Sequence, residues 1–390
     1  MSIDRRTFLK SSLVVPAAVS LPSLFARALL GAERDDRILV LVQLEGGNDG
    51  LNTVIPFDDD AYFKARPGLA IPKGRVVRLD DHEGLHPSLA ALRGVWDDGA
   101  LAVLQGIGYA NASRSHFTST DVWHTARIGT NARWSGWLGR ALDRTDPAEV
   151  PALYLDPGPL TLALVGERVI VPSVADASRF RVHGNKKLLE GLVARERKGA
   201  AEYIAKSARQ AYRASARIEA ALKADAFKSK YPGTDLAQRL WQVARMVQAD
   251  LPARVYGVRL TGFDTHSRQE QAHAQLLKTL GDALGAFHHD LKAHDLDKRV
   301  LTVTYSEFGR RVRENRSLGT DHGAAAPMFV MGGASKGGLK GEHPSLTDLE
   351  DGDLKFQTDF RRVYATVLQE WLKVDARAVL GAAYAPVPFL

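Results

Sequence analysis

Apolar runs of strand length alternate along this chain of 390 residues with segments whose apolar positions follow the spacing of a helix. Five runs are rich in leucine and β-branched residues and predict buried strands, at residues 37–44, 101–106, 255–260, 299–304 and 328–331. Four segments with a helical period are found at residues 87–96, 115–127, 269–291 and 359–372. This alternation is typical of an α/β fold built around a mostly parallel sheet.

Two other stretches depart from the alternation. Residues 151–172 contain short strand-like runs separated by Pro and Gly, and we interpret them as a peripheral hairpin. Residues 186–251 are rich in Ala, Arg, Lys, Glu and Gln, which predicts two or three surface helices. The sequence has no internal repeat and no low-complexity linker. We therefore expect one α/β domain over residues 36–375, with a helical insertion at 186–251.

Acids and histidines follow or precede four of the predicted strands. They are Asp49, Asp264, His266, Glu307 and His322. In open parallel sheets, ligands bind beyond the carboxyl ends of the strands, where successive loops converge. Carboxylates and imidazoles gathered at such an edge suit a hard or borderline metal ion.

Each of these residues also has an ordinary structural explanation. Asn48-Asp49-Gly50 is common turn chemistry, and an aspartate such as Asp264 that caps a helix contributes about 1 kcal/mol without any metal. His322 has the same ambiguity. Seven further histidines lie in polar or helical stretches and are interpreted as surface residues: His82, His183, His273, His288, His289, His294 and His343.

A segment with two hydroxyl groups lies where the strand at 101–106 gives way to a helix. It reads Ser113-Arg114-Ser115-His116. The backbone N–H groups of a helix N-terminus favour anions, and the guanidinium fork of Arg114 suits phosphate or sulfate oxygens. Ser113 or Ser115 is therefore either a nucleophile that attacks a bound anionic ester or simply the cap of the helix.

The amino terminus has the order of segments found in an export signal. Asp4-Arg5-Arg6-Thr7-Phe8-Leu9-Lys10 is a twin-arginine motif, and an apolar stretch and small residues follow it. The alternative is an amphipathic helix that begins with two arginines. Pro16 and Pro22 interrupt the apolar stretch, which is too short to span a membrane in the mature protein. We predict a signal peptide over residues 1–28, recognition by the twin-arginine translocase, and a periplasmic or secreted mature protein.

Composition limits the classes of partner and cofactor. Cysteine is absent, so any metal must bind to oxygen and imidazole ligands. The formal net charge is +7, and the predicted signal carries four basic residues and one acid, so its removal takes away +3 and leaves +4. This mild excess does not indicate nucleic acid binding. It is compatible with an anionic substrate.

Six motifs together resemble the bacterial domain-of-unknown-function 1501 family. They are GGNDGLN at 46–52, SRSHF at 113–117, GFDTH at 262–266, SEFGR at 306–310, GTDHG at 319–323 and TDFRRVY at 358–364. Their order and spacing match over residues 36–375. That family in turn resembles the alkaline phosphatase and sulfatase superfamily, which implies a three-layer αβα fold with one or two metal ions at the carboxyl edge of a mixed sheet.

The resemblance implies a role for residues of the motifs. The implied metal ligands are Asp49, Asp264, His266, Glu307 and His322, with Zn²⁺, Mn²⁺ or Ca²⁺ as candidate ions. The implied catalytic residues are Ser115, Ser113 and His116. The implied substrate-binding residues are Arg114, Arg310 and Asn48. Ala110 stands where sulfatases have their modified residue, so formylglycine chemistry is excluded.

Two functions follow from the resemblance. The first is an exported metal-dependent hydrolase of phosphate or sulfate esters, acting on a small anionic ester. The alternative is a non-catalytic periplasmic binding or secretion-accessory protein that keeps the fold. The two differ in whether a serine hydroxyl faces the metal ligands.

Overall fold

The structure of this protein is a computed structural model. Its central element is a twisted sheet that contains most of the predicted strands. The residues described are 36–129, 135–145, 151–177, 215, 217–222 and 230–390. Among them, nine strands form the sheet: β1 (Ile38–Glu45), β2 (Leu101–Gly108), β3 (Ala152–Leu155), β4 (Ser173–Val174), β5 (Val255–Thr261), β6 (Val300–Tyr305), β7 (Ala326–Met331), β8 (Gly338–Lys340) and β9 (Thr358–Asp359). Residues 37–390 form one compact unit.

The strands lie in the order β8-β2-β7-β6-β1-β5-β3-β4, and β9 pairs with the end of β2. β1 runs parallel to β5 and to β6, with Leu41 opposite both Gly257 and Val303. β7 is antiparallel to its neighbours β2 and β6, whereas the other pairs described in this sheet are parallel. The predicted α/β class with a mostly parallel central sheet is confirmed.

Helices cover the sheet on both sides. The α-helices in the described part of the chain include α1 (Asp60–Ala65), α2 (Arg93–Asp97), α3 (His116–Thr125), α4 (Trp137–Leu142), α5 (Asp235–Gln248), α6 (Gln269–Ala293), α7 (Phe360–Thr366) and α8 (Ala376–Leu380), and residues 217–222 are helical as well. A π-helical turn at Val367–Trp371 continues α7, and 3₁₀ turns lie at Gly50–Asn52, Lys73–Arg75, Pro87–Leu92, Leu162–Leu164 and Asp297–Arg299. Of the helices that can be described, none is long and apolar enough to cross a membrane.

Alternate side chains of β1 enter two separate cores. Val40 and Val42 pack in the core that contains buried residues of α5 and α6. Leu39 and Leu41 pack in the core that contains buried residues of α3, α4, α7 and α8. Because successive strand residues point to opposite faces, the sheet is buried on both faces. This is the expected three-layer αβα arrangement, and it explains why β1 has an almost uninterrupted apolar sequence.

Small sheets in the described residues lie outside the central one. Val54–Ile55, Gly84–Leu85 and Val77–Arg78 form a three-stranded sheet. Two hairpins are Arg310–Glu314 with Thr320–His322 and Leu349–Glu350 with Asp353–Leu354. The first hairpin immediately precedes β7 and contains Arg310 and His322, two of the residues singled out in the sequence.

The predicted elements agree with the structure, with ends displaced by two residues or fewer, except in one region. The peripheral hairpin predicted at 151–172 is wrong, because Ala152–Leu155 is β3, an interior strand that pairs in parallel with β5 and β4. The flanking Pro and Gly residues concealed a short strand that is buried along its whole length. In the predicted insertion only residues 215, 217–222 and 230–251 are described, and they include α5. The predicted signal peptide lies outside the described residues.

Candidate metal centre

Five loops meet at one edge of the central sheet. The loops after β1, β2, β5 and β6 leave the carboxyl ends of strands that run in the same direction. β7 runs in the opposite direction, so the loop that precedes it lies at this edge as well. The reversal explains how His322, which precedes its strand, joins residues that follow theirs.

Imidazole nitrogens and one carboxylate oxygen converge at this edge. Asp264 Oδ1 lies 3.0 Å from His266 Nε2 and 3.1 Å from His322 Nε2. The same oxygen lies 3.5 Å from His116 Nε2, and the Nε2 atoms of His266 and His322 are 2.9 Å apart. Ligand atoms on one tetrahedral zinc ion are about 3.3 Å apart, given metal–nitrogen bonds of about 2.0–2.1 Å. The ligand atoms of His116, Asp264 and His322 all lie within 4.8 Å of one another, which is compatible with ligands around a single ion, and His266 Nε2 adjoins two of them.

The other ring nitrogen of two of these histidines is held by an acceptor. His116 Nδ1 lies 2.8 Å from Glu307 Oε1, and His322 Nδ1 lies 2.7 Å from the Arg114 carbonyl oxygen. An ionised carboxylate and a carbonyl only accept hydrogen bonds, so both Nδ1 atoms carry a proton and both Nε2 atoms keep a lone pair in the neutral ring. Metal-binding histidines are oriented by partners of this kind.

His266 is held in a similar way, since its Nδ1 lies 3.5 Å from Asp321 Oδ1. The Nε2 atom of His116 is buried and has no hydrogen-bond partner among the described residues, which is unusual for a buried polar atom. Lone pairs and a carboxylate that face one another repel unless a cation lies between them. The donor set of His116, Asp264, His266 and His322 therefore fits a divalent metal ion.

Asp264 is kept ionised by its neighbours. Burial raises the pKa of its carboxyl group, but the hydrogen bond and the positive charge of Arg310 lower it below its usual range. Arg310 Nη2 donates to Asp264 Oδ1 at 2.8 Å. Asp264 is consequently a carboxylate at neutral pH, which is the form that binds a cation.

Arg310 is fully buried and holds several loops together. Its guanidinium donates to the carbonyl oxygens of Gly46, Gly47, Phe263 and Thr320. Because these bonds and the bond to Asp264 occupy the side chain, the structure gives Arg310 a positioning role. This differs from the substrate contact predicted from the sequence.

Close packing brings the β1 and β5 loops together. Gly46 has φ of +119°, and a Cβ atom on it would lie 2.4 Å from the backbone nitrogen of Asp264, so only glycine fits there. The ring of Phe308 packs against the imidazoles, with centroid distances of 4.9 Å to His116 and 4.6 Å to His322. The SEFGR and GGNDG motifs thus shape the site as well as supplying polar groups.

Ser115 lies in the chain between Arg114 and His116, two residues that contact the candidate site. It is the N-cap residue of α3, but its hydroxyl makes no capping hydrogen bond. Arg114 before it supplies the carbonyl that holds His322, and the next residue is His116. Ser113 Oγ accepts the backbone N–H of Ser115 at 3.2 Å. The hydroxyl of Ser113 is therefore used in the turn, whereas that of Ser115 is not used as a cap.

Asp49 belongs to a separate buried network. Its side chain is fully buried, its Oδ2 lies 2.5 Å from Arg66 Nη1, and it also accepts from Gln269. Burial raises the pKa of Asp49, but the charge and hydrogen bond of Arg66 outweigh burial and lower it. Among the described residues, no hydrogen bond joins Asp49 to the imidazoles at the sheet edge. The structure does not bring Asp49 together with the other predicted ligands.

Asn48 is buried in the same region. Its Nδ2 donates to Thr53 Oγ1 at 3.0 Å, and its Oδ1 lies 3.0 Å from His273 Nε2. These bonds occupy the amide that was predicted to bind substrate. His273 is itself a correction, because it was expected at the surface but is 2% exposed. Burial lowers its pKa to about 4.

His288, also expected at the surface, is 4% exposed. Both misplaced histidines lie on α6, whose buried face continues along its whole length between the sheet and the 3₁₀ turn Pro87–Leu92. His183 lies outside the described residues. Histidine on a long helix is thus a poor indicator of exposure, because histidine is intermediate between apolar and charged residues in how often it is buried.

Two residues that contact the predicted ligands were not assigned a role from the sequence. Asp321, which faces His266, stands beside His322 in the GTDHG motif, and that adjacency was an available signal. Arg66, which pairs with Asp49, lies 17 residues further along the chain in a polar stretch. Nothing in the sequence distinguishes it from a surface arginine.

Several solved structures are similar to this one, at low identity and low TM-score. The PsFucS1 sulfatase from Pseudoalteromonas sp. is 9% identical with a TM-score of 0.40, and the match covers 92% of this chain and 70% of that chain. The phosphonate monoester hydrolase of Agrobacterium radiobacter is 11% identical with a TM-score of 0.37, covering 89% and 78%. A protein in the alkaline phosphatase superfamily from Vibrio parahaemolyticus is 9% identical with a TM-score of 0.34, covering 77% and 61%. At these values no residue role is carried over to this chain.

Sequence comparison identifies the family directly. No protein with a curated description is similar in sequence to this chain. One family model, described as a protein of unknown function (DUF1501), matches residues 36–382. That span contains the six motifs and the residues of the candidate metal centre. The family expected from the motifs is confirmed, and this chain belongs to the DUF1501 family.

Proposed function

We propose that this protein is an exported metal-dependent hydrolase of phosphate or sulfate esters. The observation that carries the proposal is the convergence of three imidazole Nε2 atoms on Asp264 Oδ1. Each imidazole has its Nδ1 atom against an acceptor, as metal ligands do. The reaction class comes from the sequence motifs, which resemble those of the alkaline phosphatase and sulfatase superfamily.

The donor set favours one of the three candidate ions. Imidazole nitrogens suit Zn²⁺, whereas Ca²⁺ and Mn²⁺ prefer oxygen ligands, and Ca²⁺ takes about six to eight of them. Three imidazoles and one carboxylate therefore fit Zn²⁺ best. An ion held there would lower the pKa of a serine hydroxyl or a water molecule and stabilise charge on the transferring group.

Ser115 is the proposed nucleophile. Its hydroxyl is not used as a helix cap, and its neighbours in sequence both contact the site. The Ser115 oxygen would lose its proton to solvent and attack the phosphorus or sulfur atom, and the bond to the ester oxygen would break to release the alcohol. Water would then attack the same atom and release phosphate or sulfate from the serine. His116, predicted as a ligand or an acid, suits the ligand role better because its Nε2 atom faces Asp264.

Arg114 is the proposed clamp for the substrate anion. Its Nε and Nη2 atoms donate to Asp353 Oδ2 at 2.9 and 2.5 Å, and its side chain is 41% exposed. Asp353 fixes one edge of the guanidinium, and Nη1 has no bond among the described residues. A guanidinium oriented in this way suits the oxygens of a phosphate or sulfate ester.

A non-catalytic binding protein is the second candidate function. The observation that favours it is the burial of Asp49, Asn48 and Arg310 in structural networks. These three residues were expected to contribute to metal or substrate binding. Their burial leaves a smaller set of groups for catalysis than the resemblance implies.

The two candidates are separated by measuring metal content and turnover on the same preparation. The full chain is expressed in a host with a twin-arginine export system, and the mature protein is recovered and analysed for metals. Turnover is measured with 4-nitrophenyl phosphate and 4-nitrophenyl sulfate. We expect one ion per chain, which His322→Ala loses, and turnover that Ser115→Ala abolishes while Ser113→Ala retains it.

Each other result has a definite meaning. A bound ion without turnover of either ester favours the binding protein. Turnover that survives in Ser115→Ala overturns the role of that serine. A mature protein that neither contains nor binds a divalent ion overturns the metal centre and the hydrolase with it.

A further inference from the structure

Glu307 follows β6, and its side chain is 1% exposed. Its Oε1 accepts the backbone N–H of Gly46 at 2.8 Å and lies 2.8 Å from His116 Nδ1. Its Oε2 lies 3.3 Å from Ser306 Oγ. A buried carboxylate needs such partners to offset the loss of water. One of its two closest partners is thus the ring of a candidate metal ligand.

Further contacts join the end of β6 to the helix that contains His116. The backbone carbonyl of Glu307 accepts from the hydroxyl of Ser119, one turn further along α3. The ring of Phe308 packs against the imidazole of His116. The first turn of α3 is therefore fastened to this loop by two hydrogen bonds and one ring contact. His116 cannot rotate without breaking its bond to Glu307.

We propose that Glu307 is a positioning residue of the metal centre and not one of its ligands. It accepts the Nδ1 proton of His116 and so directs Nε2 toward Asp264 Oδ1, 3.5 Å away. A carboxylate in this position also raises the basicity of the imidazole as a ligand. The inference rests on the proposed function, because it requires a metal ion at the same centre.

A ligand role would place a different demand on the same atoms. Glu307 would have to direct an oxygen at the ion, whereas Oε1 faces the N–H groups of Gly46 and His116. Among the described residues, the ligand atoms that all lie within 4.8 Å of one another come from His116, Asp264 and His322. Neither Glu307 nor His266 is in this group, but His266 Nε2 lies 3.0 Å from Asp264 Oδ1, whereas Glu307 contacts the ring of His116 on its Nδ1 side. The contacts of Glu307 are those of a residue that orients a ligand through the ring nitrogen that faces away from the ion.

The test is Glu307→Gln, which keeps the size of the side chain and removes its charge. Zn²⁺ affinity is measured by competition with a chromophoric chelator, and Co²⁺ replaces Zn²⁺ for visible absorption. We expect one ion per chain, bound about 10–100-fold more weakly than in the wild type. The Co²⁺ bands should keep their positions, because the ligands are unchanged, whereas His116→Ala should shift them.

Glu45→Gln is the matched control. Glu45 is also an acid at the end of a strand on the same edge, but it is 39% exposed and pairs with Arg259. We expect its substitution to leave Zn²⁺ affinity unchanged. Equal affinities in Glu307→Gln and the wild type, or Co²⁺ bands shifted as in His116→Ala, would overturn the positioning role alone. A wild-type chain that binds no ion overturns the proposed function instead.

A second measurement requires no change at Glu307 and so does not depend on the folding of a variant. Nitrogen-15 spectra of the imidazoles are recorded at pH 8 with and without Zn²⁺, and the resonances of His116 are assigned by their loss in His116→Ala. We expect the proton on Nδ1 in both samples. A proton on Nε2 in the metal-free protein overturns the inference.

Discussion

Asp49 was predicted to bind metal, but the structure pairs it with Arg66 in the protein interior. Both side chains are 0% exposed, and Asp49 Oδ2 lies 2.5 Å from Arg66 Nη1. We expect Asp49→Asn to lower the free energy of unfolding and to leave the metal content at one ion per chain. The substitution keeps the size of the side chain and removes the charge that compensates Arg66.

The magnitude follows from what Arg66 loses and what it keeps. Breaking a buried ion pair costs about 3–5 kcal/mol, because the remaining charge is left uncompensated. Arg66 would keep the carbonyl oxygens of Val312 and Arg311, each at 2.9 Å, and the side chain of Asn52 at 3.0 Å. These acceptors place the expected loss near the lower end, about 3 kcal/mol.

The loss should also depend on pH. Burial opposes ionisation of Asp49, but Arg66 outweighs burial, so its pKa is lower in the folded protein than in the unfolded chain. The stability that this group contributes is therefore complete above about pH 4 and is lost as the pH falls through the lowered pKa. The difference between the wild type and Asp49→Asn should be largest near neutral pH and should shrink below about pH 4.

Urea unfolding at several pH values and elemental analysis of the same samples provide the test. Asp58→Asn is the matched control, because Asp58 pairs with Lys73 at 2.7 Å but both side chains are about half exposed. An exposed pair of this kind contributes little to stability, so Asp58→Asn should leave the free energy of unfolding nearly unchanged. If Asp49→Asn lost the ion while its unfolding free energy stayed unchanged, Asp49 would be a ligand and the reasoning from burial would be refuted.

Three further predictions concern single residues. Burial and the negative charge of Asp80 raise the pKa of Glu83 from 4.5 to about 7. The wild type therefore loses stability as the pH rises across that interval. In urea unfolding, Glu83→Gln should be more stable than the wild type by about 2–3 kcal/mol at pH 8 but not at pH 4. Gly46→Ala, whose Cβ would meet the backbone of Asp264, should lower both the melting temperature and Zn²⁺ affinity, by about 2 kcal/mol or more in stability. Arg310→Lys should cost about 3 kcal/mol in urea unfolding, because a single ammonium cannot reach the acceptors of the buried guanidinium.

Each of these predictions has a result that would contradict it. An equal effect of Glu83→Gln at pH 4 and pH 8 would show that its carboxyl does not titrate between these values in the folded protein. Wild-type stability in Gly46→Ala would show that the β1 and β5 loops do not approach as closely as described. An unchanged unfolding curve for Arg310→Lys would contradict the assignment of Arg310 as a buried positioning residue.

The strands and the polar residues at their ends could be predicted from the sequence for one physical reason. Strands buried on both faces are apolar throughout, so the first polar residue marks the place where the chain leaves the sheet. Asp264, His266 and His322 were expected to be neighbours on this ground, and the structure places Asp264 Oδ1 within 3.1 Å of both histidines. The short strand Ala152–Leu155 was not predicted as an interior strand, because four residues are too few for their sequence pattern to distinguish such a strand from a hairpin.

The direction in which a side chain points could not be predicted. An acid at the end of a strand, such as Glu307, has the same sequence signature whether its oxygens face an ion or a histidine ring. The same holds for Asp49, whose partner Arg66 is identified only by the folded chain. Positions at the sheet edge follow from local patterns, whereas contacts at that edge depend on residues more than 200 positions apart, such as Asp49 and Gln269.

Gln269 connects the buried network of Asp49 to the loops of the candidate centre. Gln269 donates to Asp49, and its Oε1 accepts from the hydroxyls of Thr265 at 3.0 Å and Thr320 at 2.6 Å. Thr265 lies between Asp264 and His266, and Thr320 lies two residues before His322. The amide thus links the loop after β5 to the hairpin before β7, and Asp49 fixes the orientation of that amide. A buried ion pair beside the candidate centre thus holds, through Gln269, two of the loops that contain predicted ligands.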